Sequence, residues 1–221
     1  MAVSILMSGP IRPSPEEVLL VIWTLRAQLP TARVFLCTWD RFSIPTELRE
    51  AVDSLTLIPE PTQAEIDDRV TAKTLQQREC QPNLDHWTYG MYRMIHGVQA
   101  VCAAASTILP DDAPVIRIRT DTPIVFAPGA LEQELARLGD EYIIRWRQSN
   151  DGVFFDDWFA LTRLRILRET WTFEDYNASI DAAWNVETLI RNNLRVPLRH
   201  FSRESLETYI LRPNGQTTHH V

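Results

Sequence analysis

The fold is decided by residues 3–38, whose sequence is VSILMSGPIRPSPEEVLLVIWTLRAQLPTARVFLCT. The apolar runs at its two ends predict buried β-strands. Between them, Ser14 as N-cap, Pro15 at the first helical position and Glu17 three residues after the cap predict the start of a helix. Apolar residues then recur at helical spacing as far as the second strand. The stretch therefore predicts a strand, a helix and a second strand.

The same alternation continues along the chain. A short helix near residues 46–52 and a strand at 55–58 complete a β-α-β-α-β unit. A long helix over 85–106 then leads to a strand at 115–119. This order favours a mainly parallel central sheet with helices on both faces, an α/β three-layer sandwich. No Gly-rich GxGxxG or GxxxxGK[ST] loop follows a strand, so a dinucleotide fold and a P-loop are not expected.

The length of the chain and the apolar patterns of its second half predict the domain organisation. A chain of 221 residues fits one domain with a substantial core. We expect this single domain to span 1–213, with halves at 1–126 and 127–213, and a flexible tail over 214–221. In the second half, a strand is expected near Tyr142 and a helix is expected to begin at Thr162.

Composition excludes several classes of protein. The net charge of -7 argues against broad binding to nucleic acid, because such binding needs a basic surface. Cys37, Cys80 and Cys102 form no zinc-ligand pattern; Cys37 and Cys102 lie in apolar runs, as buried residues do. We expect a reduced, cytoplasmic protein. No apolar run is long enough to span a membrane, so any membrane contact is expected to be peripheral.

The Arg119-Thr120-Asp121 segment follows the strand at 115–119. In open α/β sheets, ligands bind at the carboxyl ends of the strands. A carboxylate there can hold a divalent ion that bridges phosphate groups, and an arginine two residues away can contact the same phosphates. The alternative is a surface aspartate in a turn before Pro123, paired with the neighbouring arginine.

An ordered set of short motifs carries a family resemblance. In chain order these motifs are Ser8-Gly9-Pro10-Ile11-Arg12, Cys37-Thr38-Trp39-Asp40, Tyr92-Arg93 running to Gly97-Val98, Arg119-Thr120-Asp121, and Asp157-Trp158-Phe159. The set resembles the WavE-like lipopolysaccharide-synthesis proteins. The order of helices and strands is similar to the GT-A fold of nucleotide-diphospho-sugar transferases. The resemblance runs from residue 8 to residue 159.

The resemblance implies a donor site and a metal. The donor-binding positions are Gly9, Pro10 and Arg12 beside the nucleotide, Trp39 and Asp40 beside the base or ribose, Arg93 and Arg119 at the diphosphate, and Asp121 at a divalent Mn or Mg ion. His200 is a further candidate ligand of that ion, and the alternative is a partly exposed histidine after a helix. Arg119 stands where the usual D-x-D motif has its first acid, so it can itself replace part of the metal's charge.

Asp157 and Asp156 are the candidate catalytic acids. A transferase that inverts the anomeric configuration needs a general base to take the proton of the acceptor hydroxyl, and a positioned carboxylate suits this role. A retaining transferase would use the carboxylate differently, and the sequence leaves both outcomes open. The resemblance matches Asp157, and Asp156 is an additional acid beside it. The alternative is the exposed start of a strand.

The resemblance implies a glycosyltransferase that moves a sugar from a nucleotide-diphosphate donor to a glycan or lipid-linked acceptor in bacterial surface polysaccharide (lipopolysaccharide or capsule) synthesis. Residues 1–126 would bind the nucleotide sugar and 127–213 the acceptor, with the protein at the inner face of the membrane. The alternative is a catalytically degenerate nucleotide- or glycan-binding scaffold of the same fold. The enzyme interpretation predicts that Arg93, Asp121 and Asp157 converge on one cleft beside the end of the first strand.

Overall fold

The computed structural model describes residues 3–69, 84–145, 158–181, 186–202, 205–211 and 217–219. These residues form ten strands and eight helices. The strands are β1 (Ser4–Ser8), β2 (Arg33–Trp39), β3 (Ser54–Ile58), β4 (Pro114–Arg119), β5 (Ile124–Phe126), β6 (Tyr142–Ile144), β7 (Phe159–Arg163), β8 (Leu198–His200), β9 (Leu206–Leu211) and β10 (Thr217–His219). The helices are α1 (Pro15–Gln28), α2 (Thr46–Glu50), α3 (Gln63–Arg69), α4 (Leu84–Ser106), α5 (Ala130–Arg137), α6 (Leu164–Thr170), α7 (Tyr176–Asp181) and α8 (Val186–Asn193).

A seven-stranded sheet in the order β3-β2-β1-β4-β7-β6-β8 forms the centre of the domain. Neighbouring strands are parallel except around β7, which runs antiparallel to both β4 and β6. The carboxyl ends of the other six strands therefore lie at one edge of the sheet, together with the start of β7. A second, antiparallel sheet has the order β10-β9-β5.

The core consists of two layers, one on each face of the sheet. Along β1, Ile5 and Met7 point into the layer that α1 covers, and Leu6 points into the layer that α4 covers. This alternation is the period of two that a strand imposes. The expected mainly parallel sheet with helices on both faces is confirmed.

Local sequence explains where α1 begins and how closely α4 approaches the sheet. Helix α1 begins at Pro15, and the backbone N–H of Glu17 donates to the Ser14 hydroxyl at 3.4 Å, so the predicted N-cap is present. Within α4, a Cβ at Gly97 would lie 3.5 Å from the Cβ of Ser8, so this glycine lets the helix approach the end of β1. Gly90 is different, because a Cβ there would meet open space.

The structure differs from the sequence prediction in two places in the second half. The helix expected to begin at Thr162 begins at Leu164, because β7 continues through Arg163 to complete its ladder with β4. Residues 217–219 lie within the expected flexible tail, but they form β10 and pair with β9. The open edge of β9 supplies backbone partners for a segment that is rich in β-branched threonine.

Two further expectations concern helices and cysteines. Among the described helices, none is both long enough and apolar enough to cross a membrane. Cys37 and Cys102 are buried and unbridged, as their apolar surroundings predict. Cys80 lies outside the described residues.

Candidate functional site

Two loops from distant parts of the chain meet at the carboxyl edge of the sheet. Asp121 lies two residues beyond the end of β4, and Arg12 lies in the loop that follows the neighbouring strand β1. Asp121 is only 2% exposed although it carries a charge. A buried carboxylate needs partners that offset its loss of water, so its surroundings define the site.

Two arginines supply most of those partners. Arg119 Nε donates to Asp121 Oδ1 at 2.9 Å and Arg119 Nη2 donates to Oδ2 at 2.7 Å, which makes a bidentate pair. Arg12 Nε donates to Oδ2 at 3.0 Å, and the hydroxyl of Thr122 donates to Oδ1 at 3.3 Å. Each carboxylate oxygen therefore accepts two hydrogen bonds, which is its usual capacity.

The electrostatics of this cluster keep Asp121 ionised. Burial acts to raise the pKa of Asp121, but the charge and hydrogen bonds of Arg119 and the charge of Arg12 outweigh burial, so this pKa is held below its usual value. The side chains of Arg12 and Arg119 are 49% and 18% exposed, whereas that of Asp121 is 3% exposed. The cluster therefore encloses its carboxylate, and Arg12 is its most exposed member.

Backbone geometry fixes the β1 loop against the end of β4. The hydroxyl of Thr120 donates to the carbonyl of Pro10 at 2.6 Å. Gly9 has a φ of 140°, which side chains rarely tolerate, and a Cβ there would lie 3.3 Å from Thr120 Oγ1. The N–H of Gly9 donates to the carbonyl of Cys37 in β2 at 3.2 Å. Gly9 and Pro10 thus hold the loop that carries Arg12.

Arg145 and Trp158 extend the cluster along the same edge. Arg145 follows β6, Trp158 precedes β7, and the guanidinium carbons of Arg145 and Arg119 lie 4.9 and 5.9 Å from the Trp158 ring centroid. Both distances are within the range of cation–π contacts. Sequence reasoning missed Arg145. Its signal was an arginine directly after a short apolar strand, at the edge where Arg119 also lies.

The β2 end contributes one buried and one exposed residue. Trp39 is 3% exposed, and its ring lies 6.4 Å from that of His96 with 12° between their planes. The ring of His96 lies at the same distance from that of Tyr92. Asp40 is exposed, and its N–H donates to the carbonyl of Ile58 at 2.9 Å. Asp40 therefore presents a carboxylate at the edge, while Trp39 packs against α4.

Arg93 is bound at the end of β3. Its Nε lies 3.1 Å from Glu60 Oε1, and its guanidinium donates to the carbonyl of Pro61 at 3.3 and 3.4 Å. Arg41 forms a further ion pair with Glu60. The strand that leads to Glu60 is three positions from the strand that leads to Asp121, about 14 Å at ~4.8 Å per strand. Arg93 and Asp121 therefore lie at the same edge of the sheet but in separate clusters, so the predicted convergence of these two residues on one cleft is not observed. Asp157 lies outside the described residues.

The residues present do not fit a metal ion at Asp121. All four acceptor positions of its carboxylate are engaged by the donors described above. His200 ends β8, three strands from β4, again about 14 Å away. Within the described ranges there is no group of three or more His, Cys, Asp or Glu side chains that could hold an ion. Asp156 and Asp157 lie outside those ranges.

Two cavities lie away from Asp121. One of about 400 Å³ is at the amino edge of the sheet, between the starts of β1, β2 and β4. The other, of about 460 Å³, is lined by Asp68, Tyr92, Ile95, His96, Gln99, Phe173 and Asn177. Since His96 also packs on Trp39, this second cavity lies beside α4 near the carboxyl edge. Neither of these two cavities is lined by Arg12, Arg119 or Asp121.

Comparison with known proteins identifies the fold. No protein-family model matches the chain, and no curated protein sequence does. A crystal structure of galactosyltransferase LgtC with donor and acceptor sugar analogues is similar with a TM-score of 0.50 and 10% identity, over 90% of this chain and 73% of that one. A structure of an active-site mutant of LgtC gives 0.50 and 12%, over 90% and 72%. A 4-diphosphocytidyl-2C-methyl-D-erythritol synthase gives 0.46 and 8%, over 92% and 90%. The likeness to the two LgtC structures shows a GT-A-like α/β fold.

Proposed function

We propose that this chain is a glycosyltransferase that moves a sugar from a nucleotide-diphosphate donor to a glycan or lipid-linked acceptor. The observation that carries the proposal is the cluster of Arg12 and Arg119 around Asp121, at the ligand-binding edge of a GT-A-like sheet. The fold shared with galactosyltransferase LgtC supports it. The WavE-like motifs favour an acceptor in bacterial surface polysaccharide, either lipopolysaccharide or capsule.

The chemistry explains why cations belong at this position. During transfer, the bond between the anomeric carbon and the diphosphate oxygen breaks, and the acceptor hydroxyl oxygen bonds to that carbon. The leaving diphosphate takes the electron pair, and fixed positive groups stabilise its growing charge. Arg12 and Arg119 would act there. Asp157, with Asp156 beside it, is our candidate for the base that takes the proton of the acceptor hydroxyl.

The remaining positions divide between donor and acceptor. We assign the donor to residues 1–126 and the acceptor to 127–213. Asp40 is exposed and suits a ribose hydroxyl, whereas the buried Trp39 would act by supporting His96. Gly9 and Pro10 would keep the β1 loop close to the nucleotide. Arg93 belongs to α4 and is bound to Glu60, beyond the end of β3. It would contact the donor only if the ligand reaches from the Asp121 cluster to the Glu60 cluster.

A donor screen tests the proposal. The chain would be mixed with UDP-, GDP-, dTDP- and ADP-sugars, and the release of nucleoside diphosphate would be measured with and without oligosaccharide acceptors. We expect one class of nucleotide sugar to support this release. Arg12→Ala should abolish the release while the circular dichroism spectrum stays that of the natural chain. If no donor is consumed and none raises the Tm, the proposal fails.

A binding scaffold of the same fold is the second candidate. The observation that favours it is Arg119, which stands in place of the first acid of D-x-D and leaves the site with its carboxylate enclosed. In the same screen, a scaffold would bind one nucleotide or nucleotide sugar and raise the Tm, but it would release no nucleoside diphosphate at any enzyme concentration.

A further inference from the structure

We infer that Arg12 and Arg119 bind the donor diphosphate directly, without a bridging divalent ion, and that Asp121 is a positioning residue that holds both guanidinium groups in place. The inference rests on the proposed function, because it takes the ligand to be a nucleoside diphosphate. It departs from the metal role that the fold implies for the acid after β4.

The first argument is that the Asp121 carboxylate is buried and already fully hydrogen-bonded. Its two oxygens accept four hydrogen bonds, and its side chain is 3% exposed. An ion at Asp121 would have to displace Arg12 or Arg119 and then share a small space with the displaced charge. That exchange costs the charge-assisted hydrogen bonds and adds repulsion between like charges.

The second argument is the chemistry of the two arginines. A guanidinium group has five N–H donors in a fixed plane, a geometry that matches phosphate oxygens. Asp121 takes two donors of Arg119 and one of Arg12, which sets the plane of each group. Arg12 is half exposed and lies at the edge where ligands of such sheets bind.

The third argument is the local charge. The whole chain has a net charge of -7, so its overall field repels anions. Against that background, Arg12, Arg119 and Arg145 all lie at one edge of the sheet, and Trp158 packs beside the last two. A local concentration of arginine is the feature that a dianionic ligand requires on an acidic protein.

Calorimetry with UDP, GDP, ADP and inorganic pyrophosphate tests the inference. Each probe would be titrated into the full chain in EDTA, and again with Mn²⁺ or Mg²⁺ present. We expect at least one probe to bind in EDTA with a Kd within about threefold of its value with metal. Arg12→Ala and Arg119→Ala should each weaken binding by about tenfold or more.

Arg199→Ala is the matched control for loss of one positive charge. Arg199 pairs with Glu134 and Glu141 and belongs to no part of the arginine cluster, so the Kd for each probe should not change. Since Arg12 is half exposed, Arg12→Ala keeps the test valid even if Arg119→Ala fails to fold.

Asp121→Asn separates positioning from charge. Removing a carboxylate beside an anion should tighten binding if Asp121 acts only through its charge. A positioning role predicts the opposite, a weaker affinity for pyrophosphate in EDTA, because the bidentate pair is lost. Tighter binding in Asp121→Asn would overturn the positioning role.

The outcomes separate this inference from the proposed function. If the probes bind only when Mn²⁺ or Mg²⁺ is present, the inference fails and a metal-dependent transferase stands. If no probe binds with or without metal, and no nucleotide sugar is consumed, both fail. Binding in EDTA that Arg12→Ala weakens supports the inference even where no sugar is transferred.

Discussion

Arg119 and Asp121 are two residues apart in the chain, and they face each other at the end of β4 through hydrogen bonds of 2.9 and 2.7 Å. Alternate residues of an extended chain point to the same side. A D-x-D motif at this position would bring two carboxylates together, which suits a cation. An arginine in the first position changes the same geometry into an ion pair between the first and third positions.

Asp121→Asn should destabilise the protein in a pH-dependent way. At pH 7 we expect a loss of about 1–3 kcal/mol in the free energy of unfolding, because two guanidinium groups lose their ionic partner. The pKa of Asp121 is lower in the folded protein than its unfolded value of about 3.9. Its stabilisation is therefore present above that value and is lost as the pH falls through the folded pKa.

Urea denaturation of both proteins between pH 7 and pH 3 measures this effect. The difference in unfolding free energy between the natural chain and Asp121→Asn should shrink toward pH 3. A difference that stays constant over the whole range would mean that the ion pair is not its source.

Gly9→Ala should destabilise the β1 loop. The φ of 140° disfavours any side chain, and the new Cβ would press on Thr120 Oγ1 at 3.3 Å. We expect a cost of about 1–3 kcal/mol, measured by urea denaturation. The matched control is Gly90→Ala in α4, where a Cβ meets open space and should stabilise the helix by about 0.5–1 kcal/mol. Equal effects of the two substitutions would contradict the assignment.

Arg199→Ala should affect stability without affecting the site. Arg199 donates to Glu141 at 2.8 and 2.9 Å and also binds the buried Glu134. Its hydrogen bond is the main reason why the pKa of Glu141 lies below its usual value. Removing it leaves both carboxylates short of a partner, so we expect a loss of about 1–3 kcal/mol in urea denaturation. An unchanged midpoint would show that Arg137 compensates.

Local sequence was sufficient for some of this structure. Ser14 and Pro15 predict the start of α1 because a cap depends only on adjacent residues. Asp121 was identifiable because a strand end is visible in the apolar pattern. Contacts between distant residues were not predictable: Arg12 meets Asp121 across 109 positions of sequence, and Arg93 is bound by Glu60. Such contacts depend on which strands become neighbours.

The small second sheet shows the same limit. The apolar pattern gives little sign of β5, β9 and β10, which have three to six residues each. Short strands of mixed polarity form because a partner edge is available, and β5 finds that edge in β9, about 80 residues further along the chain. The burial of Trp39 has a similar cause, since α4 covers it from another part of the chain.

The buried thiols give a measure of how α4 opens from the sheet. Cys37 on β2 and Cys102 on α4 lie in the same apolar layer, and burial raises the pKa of each thiol to about 12. Because the thiolate is the reactive form, neither should react with an aromatic disulfide reagent at pH 8 while the protein is folded. The experiment uses Cys80→Ser, so that only these two thiols remain.

We expect no labelling of folded Cys80→Ser over hours and two thiols labelled at once in urea. If α4 separates from the sheet only on global unfolding, the labelling rate at low urea should follow the free energy of unfolding. Cys102 and Cys37 would then react together, because they share one layer. Rapid labelling of Cys102 alone would show that α4 opens locally, and it would show that the helix is flexible where its Gly97 packs on the end of β1.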